Sequence, residues 1–148
     1  MTRTPQAASP WMKLANRIPR LLAERRIGGV HRQILILETR GRRTGKAHRV
    51  PLGWIEMDGG FYVIAPHGEA SDWLRNARAD SNVTLTLHGR PRPMRAEAVT
   101  DAARKEAVVR AYAARYPQAR RQITNAAGSD DLAVAARSAG VLRLLPRR

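Results

Sequence analysis

The stretch RQILILETRGRRTGKAHRVPLGWIEMD, residues 32–58, sets two extended apolar segments on either side of a basic turn. Residues 32–39 are a short run rich in Ile and Leu, and residues 48–58 are a second extended segment. Short apolar runs bounded by glycine-containing turns are typical of β-strands. The stretch therefore predicts the first two strands of a sheet.

Further strands are expected along the rest of the chain. They are predicted at residues 59–66, 83–89, 92–100 and 141–146. The Gly59-Gly60 turn makes residues 49–65 a hairpin, so the first three strands form a meander, and Gly89-Arg90 turns a second hairpin. About six short, mostly antiparallel strands interrupted by helices favour a closed or partly closed barrel, because closure removes exposed strand edges.

Helical patterns fall between these strands. Residues 69–82 predict a short helix capped by Ser71 or Asp72, with Trp73 on its inner face. A longer helix is expected to begin at Thr100-Asp101 and to be stopped by Pro117. The segment 119–140 is predicted to be loop with one short helix.

The first residues of the chain predict an amphipathic helix. Over residues 11–26, apolar side chains recur at helical spacing and basic side chains lie mostly on the other faces. Such a helix either docks on its own domain or lies on an anionic membrane surface. We therefore expect residues 1–30 to form a basic helical arm and residues 32–146 to form the barrel core of a single domain.

Composition excludes several classes of protein. The 148 residues contain no cysteine, which excludes a disulfide framework, thiolate zinc sites and a cysteine nucleophile. The four histidines lie in separate segments without the spacing of metal ligands, so no metal is expected. No segment approaches the ~20 apolar residues that span a bilayer. We expect a cytoplasmic protein, with attachment to the cytoplasmic face of a membrane left open.

The net charge of +15 raises the question of a nucleic-acid partner, and most of the excess lies within residues 1–50. Recognition of nucleic acid normally adds stacking aromatic side chains, but only 3 Trp, 3 Tyr and 1 Phe occur, and none is interleaved with Arg on a predicted strand. Charge alone therefore does not favour nucleic acid as the partner.

The basic turn itself fits two interpretations. Gly41 and Gly45 allow backbone N–H groups to converge on one point, where nearby side chains can also direct positive charge. The side chains concerned are Arg42, Arg43, Lys46, His48 and Arg49. Together they suit a phosphate or carboxylate group, but the same composition suits an ordinary solvent-exposed hairpin tip. The spacing is not that of a P-loop.

The order of motifs resembles the deazaflavin-dependent nitroreductase and quinone reductase family. The specific parts are TRGRRTGKAHRVP at residues 39–51 and DWLRNARADSNVTL at residues 72–85. The resemblance runs from about Ile34 to Pro117, and VLRLLP matches the last strand of the family. It implies a split β-barrel related to flavin-binding barrels, mainly β with helices.

That resemblance implies a cofactor and a reaction. The cofactor is coenzyme F420, a deazaflavin bearing a phosphate and a polyglutamate tail, with FMN as the alternative. The reaction is transfer of a hydride from the reduced deazaflavin to a small hydrophobic acceptor such as a quinone, a nitroaromatic or an enone. The cofactor-binding residues it implies are Arg42, Arg43, Thr44, Gly45, Lys46, His48, Pro51, Ala65, Pro66, His67, Gly68 and Trp73.

Three positions bear on whether the cofactor-binding and substrate-side roles of the family apply to this chain. His48 stands where many members have arginine, and His67 replaces a lysine in a second cofactor loop at residues 65–68. Tyr116 matches a tyrosine on the substrate side of the family, which makes it the candidate catalytic residue. An alternative role for Tyr116 is to fix a helix end to the barrel.

Two other classes of function remain open at this stage. One is a non-catalytic module of the same barrel that holds a flavin, F420 or haem. The other is a basic protein that binds nucleic acid or a membrane surface, the latter through residues 11–26. The oligomeric state is not predicted.

Overall fold

All strands of the described chain belong to one antiparallel sheet. The structure is a computed structural model, and it describes residues 34–147. Within that range the strands are β1 (Ile34–Arg40), β2 (Ala47–Gly53), β3 (Ile55–Met57), β4 (Gly60–Ala65), β5 (Asn82–Leu87), β6 (Arg90–Ala98) and β7 (Gly140–Pro146). The helices are α1 (Asp72–Ala79), α2 (Ala102–Arg115), α3 (Pro117–Ala127) and α4 (Leu132–Ser138), and a 3₁₀ turn (Gly68–Ala70) precedes α1. The helix predicted at residues 11–26 lies outside the described residues.

The strand order is β2-β1-β5-β6-β7-β4-β3, and every neighbouring pair is antiparallel. β2 and β3 are the two edges of the sheet, yet only Trp54 separates them in the chain. The chain thus passes from one edge to the other at Trp54, which requires the sheet to curl. The result is the split barrel that the sequence predicts.

The meander expected at the start of the chain is wrong. Residues 48–58 form two strands instead of one, so the described chain has seven strands rather than about six. β2 pairs with β1, and only the part from Ile55 onwards pairs with β4. The physical reason is that the backbone N–H and C=O of Trp54 bond to the Tyr116 side chain and not to a neighbouring strand.

The second predicted hairpin forms, whereas the first, expected over residues 49–65, forms only between Ile55 and Tyr62, and each turns one residue earlier than expected. The turn residues are Asp58 and Gly59 in one hairpin and His88 and Gly89 in the other, with φ values of 52°, 77°, 55° and 77°. Two consecutive residues with positive φ are the signature of a type I′ turn, whose twist matches that of the flanking strands.

The capping signal predicted at the start of α2 is confirmed, whereas Ser71, at the cap position of α1, makes no capping hydrogen bond through its side chain. Asp101 caps α2, since its carboxylate accepts a hydrogen bond from the Arg104 N–H at 2.8 Å. Pro117 ends α2 as expected, but it also occupies the first turn of α3, where its missing N–H costs nothing. The single short helix predicted at residues 119–140 is therefore wrong, because α3 and α4 both lie there, and Asp131 caps α4.

The sheet is buried on two sides. The inside of the curl is filled by aliphatic side chains that alternate along the strands, such as Val83, Leu85 and Leu87 of β5. Helix α1 contributes Leu74 and Ala77 to this inner core. Helices α2 to α4 pack on the outer side of β4 and β7, in a second apolar cluster. Helix α1 therefore lies on the inner side of the sheet, away from the other helices.

The break between β2 and β3 is held by the end of α2. The Tyr116 hydroxyl donates to the Trp54 carbonyl oxygen at 2.7 Å and accepts from the Trp54 N–H at 3.1 Å. A Cβ at Gly53 would lie 2.8 Å from Tyr112 Oη, so glycine is needed for this close approach. The Arg115 guanidinium lies 4.9 Å from the centre of the Trp54 ring and adds a cation–π contact.

The Tyr116→Phe substitution should lower the free energy of unfolding by about 1–3 kcal/mol, because it leaves two backbone groups at the strand break without a partner. Tyr112→Phe is the matched control. The Tyr112 hydroxyl has no hydrogen-bond partner within residues 34–147, so its loss should change stability much less. Chemical denaturation of both variants measures the difference, and equal stabilities would contradict this role of Tyr116.

Candidate functional site

A cavity of about 420 Å³ opens between the β1–β2 turn, the start of β2 and one face of α1. It is lined by Gly41, Arg42, Arg43, Thr44, His48, Arg49, Val50, Asp72, Trp73 and Asn76. The basic turn and the helix motif that carried the sequence resemblance thus meet at one place. Five of the predicted cofactor-binding residues are among the lining.

The backbone of the basic turn is occupied by its own hydrogen bonds. The Gly41 N–H donates to the Lys46 carbonyl at 2.7 Å, and the Gly45 N–H donates to the Gly41 carbonyl at 2.8 Å. The Lys46 N–H donates to Thr44 Oγ1 at 3.2 Å. The expected convergence of backbone N–H groups on a ligand is therefore wrong for these three residues. An anion at this turn could not use these three N–H groups.

Arg42 joins the turn to α1. Its backbone N–H and its Nη1 both donate to Asn76 Oδ1, at 3.2 and 2.7 Å, and its Nη2 lies 3.2 Å from Asp72 Oδ1. Asn76 is only 4% exposed, and its Nδ2 reaches Thr39 Oγ1 at 3.5 Å. We call Arg42, Asp72 and Asn76 the Arg42 clamp. It fixes the position of α1 over the end of the barrel.

The clamp changes the electrostatics of its carboxylate. Hydrogen bonds from Arg42 and then from Arg75 lower the pKa of Asp72 below its ordinary value. Asp72 is thus ionised at neutral pH and neutralises part of the positive charge at the cavity. The charge that remains there comes from residues outside the clamp.

Arg43 and Lys46 supply that remaining charge. Both side chains are exposed, and within residues 34–147 neither has a hydrogen-bond or ion-pair partner from its side chain. Arg43 lines the cavity, whereas Lys46 and Gly45 lie at the adjacent tip of the turn and are not among its lining residues. These cations are available to a ligand that approaches from solvent.

His48 and Arg49 both line the cavity. Alternation along a strand points neighbouring side chains to opposite faces, but β2 is an edge strand, so a cavity beside it is reached from both faces. Arg49 also lies 3.6 Å from Glu38 on the paired strand. His48 packs over Gly41, where a Cβ would lie 2.8 Å from His48 Nε2.

The remaining wall of the cavity is apolar. Val50 and Trp73 are half-buried there and pack against the inner core of the sheet. A flat aromatic ring beside the exposed guanidinium of Arg43 suits a ligand with a planar part and an anionic part. Sequence reasoning did not list Val50, Asp72 or Asn76. The spacing of Asp72 and Asn76, four residues apart on a helix, was the available signal.

The other predicted residues lie elsewhere. Pro51 and Ala65 are buried in their strands, and the loop at residues 65–68 contributes no lining residue to this cavity. Gly68 has φ of +56° and packs against the backbone of Ser138, next to a second, smaller cavity of about 180 Å³. The structure thus brings the basic turn and Trp73 together, but it does not bring the second predicted cofactor loop to them.

Tyr116 is also outside the lining of the cavity. Its hydroxyl proton is donated to the Trp54 carbonyl oxygen, and burial raises the pKa of the Tyr116 hydroxyl. The geometry supports the role of fixing the helix end to the barrel, which was the alternative role for this residue.

The described residues, 34–147, contain neither a candidate metal site nor a candidate membrane span. No group of His, Asp or Glu in this range is arranged to hold a metal ion. No helix in the same range is long and apolar enough to cross a membrane.

Solved structures share this fold. An F420-H2 dependent reductase, FDR-A, is 22% identical, with 76% of this chain and 94% of that chain covered and a TM-score of 0.57. A structure described as a domain-swapped dimer is 21% identical, with coverages of 92% and 99% and a TM-score of 0.60. HutZ, a heme storage protein from Vibrio cholerae, is 15% identical, with coverages of 90% and 92% and a TM-score of 0.59. At these identities the likeness establishes the fold.

The family follows from the sequence. No curated protein is similar enough to match this chain. The sequence profile of the F420H(2)-dependent quinone reductase family matches residues 12–134, which is most of the chain and includes the whole cavity. The protein is therefore a member of the F420H(2)-dependent quinone reductase family.

Proposed function

We propose that the cavity beside β2 and α1 binds the anionic portion of reduced coenzyme F420, and that the protein reduces a small hydrophobic acceptor. Membership of the family makes the chain an F420-dependent reductase. The proposal adds the place of binding and the class of acceptor, which we take to be a quinone, a nitroaromatic or an enone. FMN is the alternative cofactor.

The observation that carries this proposal is the exposure of the Arg43 side chain at the cavity. This side chain lies there without a partner in the described chain, next to the apolar wall of Trp73 and Val50. A guanidinium fork binds phosphate and carboxylate in two-point contacts. An exposed hairpin tip with no ligand would need neither the cavity nor the apolar wall. The donor set therefore fits the phosphate and tail of a deazaflavin.

The contribution of the chain is binding and orientation. When bound, reduced F420 supplies the hydride, and the acceptor takes up that hydride together with one proton. Arg43 and Lys46 would hold the anionic portion, with His48 and Arg49 nearby. Trp73 and Val50 would exclude water from one side of the ligand. The Arg42 clamp keeps α1, and with it Trp73, at a fixed distance from the basic turn.

The arrangement favours solvent as the source of the proton. A tyrosine that acts as a general acid must present its O–H to the substrate. The Tyr116 O–H already donates to the Trp54 carbonyl, and its raised pKa makes it a weaker acid at neutral pH. A role for Tyr116 on the substrate side remains the prediction of the family resemblance, and a variant can test it.

Three further properties are independent of this proposal. Peripheral contact of residues 11–26 with a membrane surface, a cytoplasmic location and the oligomeric state each need their own measurement. Binding of nucleic acid is not favoured. These points leave the proposed chemistry at the cavity unchanged.

Titration of the purified protein with F420, followed by fluorescence, tests the assignment, with FMN and duplex DNA as controls. We expect saturable binding of F420 at moderate salt and oxidation of the reduced cofactor with at least one quinone, nitroaromatic or enone. Binding without turnover across the panel would indicate a passive module. Absence of saturable F420 binding would exclude the proposed function.

Arg43→Glu combined with Lys46→Glu should weaken F420 binding by at least about tenfold, because two cations become anions at the proposed anion site. Arg120→Glu with Arg121→Glu is the matched control, since both residues are exposed on α3 and outside the cavity lining. The dissociation constants of both variants, measured at one ionic strength, separate a local contact from the effect of net charge. An equal loss in both variants would mean that the basic turn is only a hairpin tip.

For catalysis, Tyr116→Phe should change kcat by less than about threefold at a temperature well below its unfolding transition. Loss of a general acid typically costs about 10²–10⁴-fold in rate. Steady-state kinetics with saturating reduced F420 distinguishes the two cases. A loss of that size, with unchanged cofactor affinity, would assign Tyr116 to proton transfer instead.

A further inference from the structure

The cationic cavity contains an acid. Among its lining residues Asp72 alone carries a carboxyl group, and Asp72 Oδ1 lies 3.2 Å from Arg42 Nη2 and 3.2 Å from Arg75 Nη2. The Asp72 side chain is 78% exposed, whereas that of Arg42 is 22% exposed. The exposed Asp72 carboxylate thus pairs with a guanidinium that is itself held in the cavity wall.

Arg42 does not depend on Asp72 for its position. Asn76 Oδ1 accepts from both the backbone N–H and the Nη1 of Arg42, and Asn76 is buried against Thr39. If the Asp72 carboxylate moved away, Arg42 would still point its Nη2 to the same place. The position that Asp72 occupies on Arg42 is therefore a ready site for another oxyanion.

We propose that the Asp72 carboxylate competes with the anionic group of the cofactor, so that binding exchanges Asp72 for a ligand oxyanion on Arg42 and Arg75. This inference rests on the proposed function, since it concerns the same cavity. It makes Asp72 a residue that determines which anions bind, and it extends the anion site from Arg43 to the Arg42 clamp.

The strengths of the two interactions allow such an exchange. Ion pairs between exposed side chains typically contribute only about 0.2–1 kcal/mol. A phosphate or a tail with several carboxylates offers more charge and two-point contacts to guanidinium groups, which are the stronger kind of hydrogen bond. A ligand with weak or no negative charge cannot displace Asp72. The competition therefore selects for strongly anionic ligands.

Asp72→Asn tests the proposal directly. The variant should bind F420 about three- to tenfold more tightly at low salt, because removal of the competitor releases both guanidinium groups. A deazaflavin without the phosphate and the polyglutamate tail should bind the variant and the parent protein equally. Glu69→Gln is the charge-matched control. Glu69 lies just before α1, pairs with Arg78 and does not line the cavity. The Glu69→Gln variant should therefore bind F420 with the same affinity as the parent protein.

Unchanged or weaker F420 binding by a folded Asp72→Asn protein would overturn the competition, as would equal strengthening by Glu69→Gln. Circular dichroism and thermal unfolding establish folding, and Asp72→Ser, which also removes the carboxylate, provides a second variant, because Ser71 and not Asp72 occupies the cap position of α1. Inorganic pyrophosphate serves as an independent probe. A parent protein that binds pyrophosphate but not F420 contradicts the proposed cofactor, while tighter pyrophosphate binding by Asp72→Asn still supports the exchange. A parent that binds neither contradicts both proposals.

Discussion

The two hydrogen bonds between the Tyr116 side chain and the backbone of Trp54 are the interaction on which the rest of the structure depends. They satisfy the N–H and the C=O of the residue at which the chain leaves one edge of the sheet and joins the other. Without a partner at this point, a buried backbone would favour continuation of the strand. The break permits β2 and β3 to pair with different neighbours, and the curl of the sheet follows from that pairing.

The curl in turn creates the cavity. A flat sheet would leave β2 as an exposed edge, which is a common site of unwanted strand pairing. Here α1 lies beside the first half of β2, held there by Arg42 and Asn76, and the space between them remains open. The contacts of Arg42 and Asn76 thus define a concave surface with an aromatic wall and the exposed Arg43 guanidinium, while the first half of β2 itself stays exposed. The binding surface and the stability of the fold share the residues of the Arg42 clamp.

Local features of this fold could be predicted from the sequence, whereas the contacts that join distant segments could not. The two hairpins follow from Gly59 and Gly89, and the start of α2 follows from the capping residue Asp101, because these signals act within a few residues. The hydrogen bonds of Arg42 to Asn76 span 34 positions, and those of Tyr116 to Trp54 span 62. Hydrophobic periodicity carries no information about such pairings. The basic turn was identified by composition, but composition did not show that its backbone N–H groups are already bonded.

The place of β7 has a consequence for synthesis of the chain. β7 lies between β6 and β4, so it joins the half-sheet of β2, β1, β5 and β6 to the hairpin of β3 and β4. Until residues 140–146 have left the ribosome, both β4 and β6 expose an unpaired edge, and the β3–β4 hairpin is not yet joined to the half-sheet that carries the cavity. Non-local strand pairing of this kind is slow and leaves incomplete sheets open to aggregation. The nascent protein is therefore expected to need protection by chaperones until its last described strand is available.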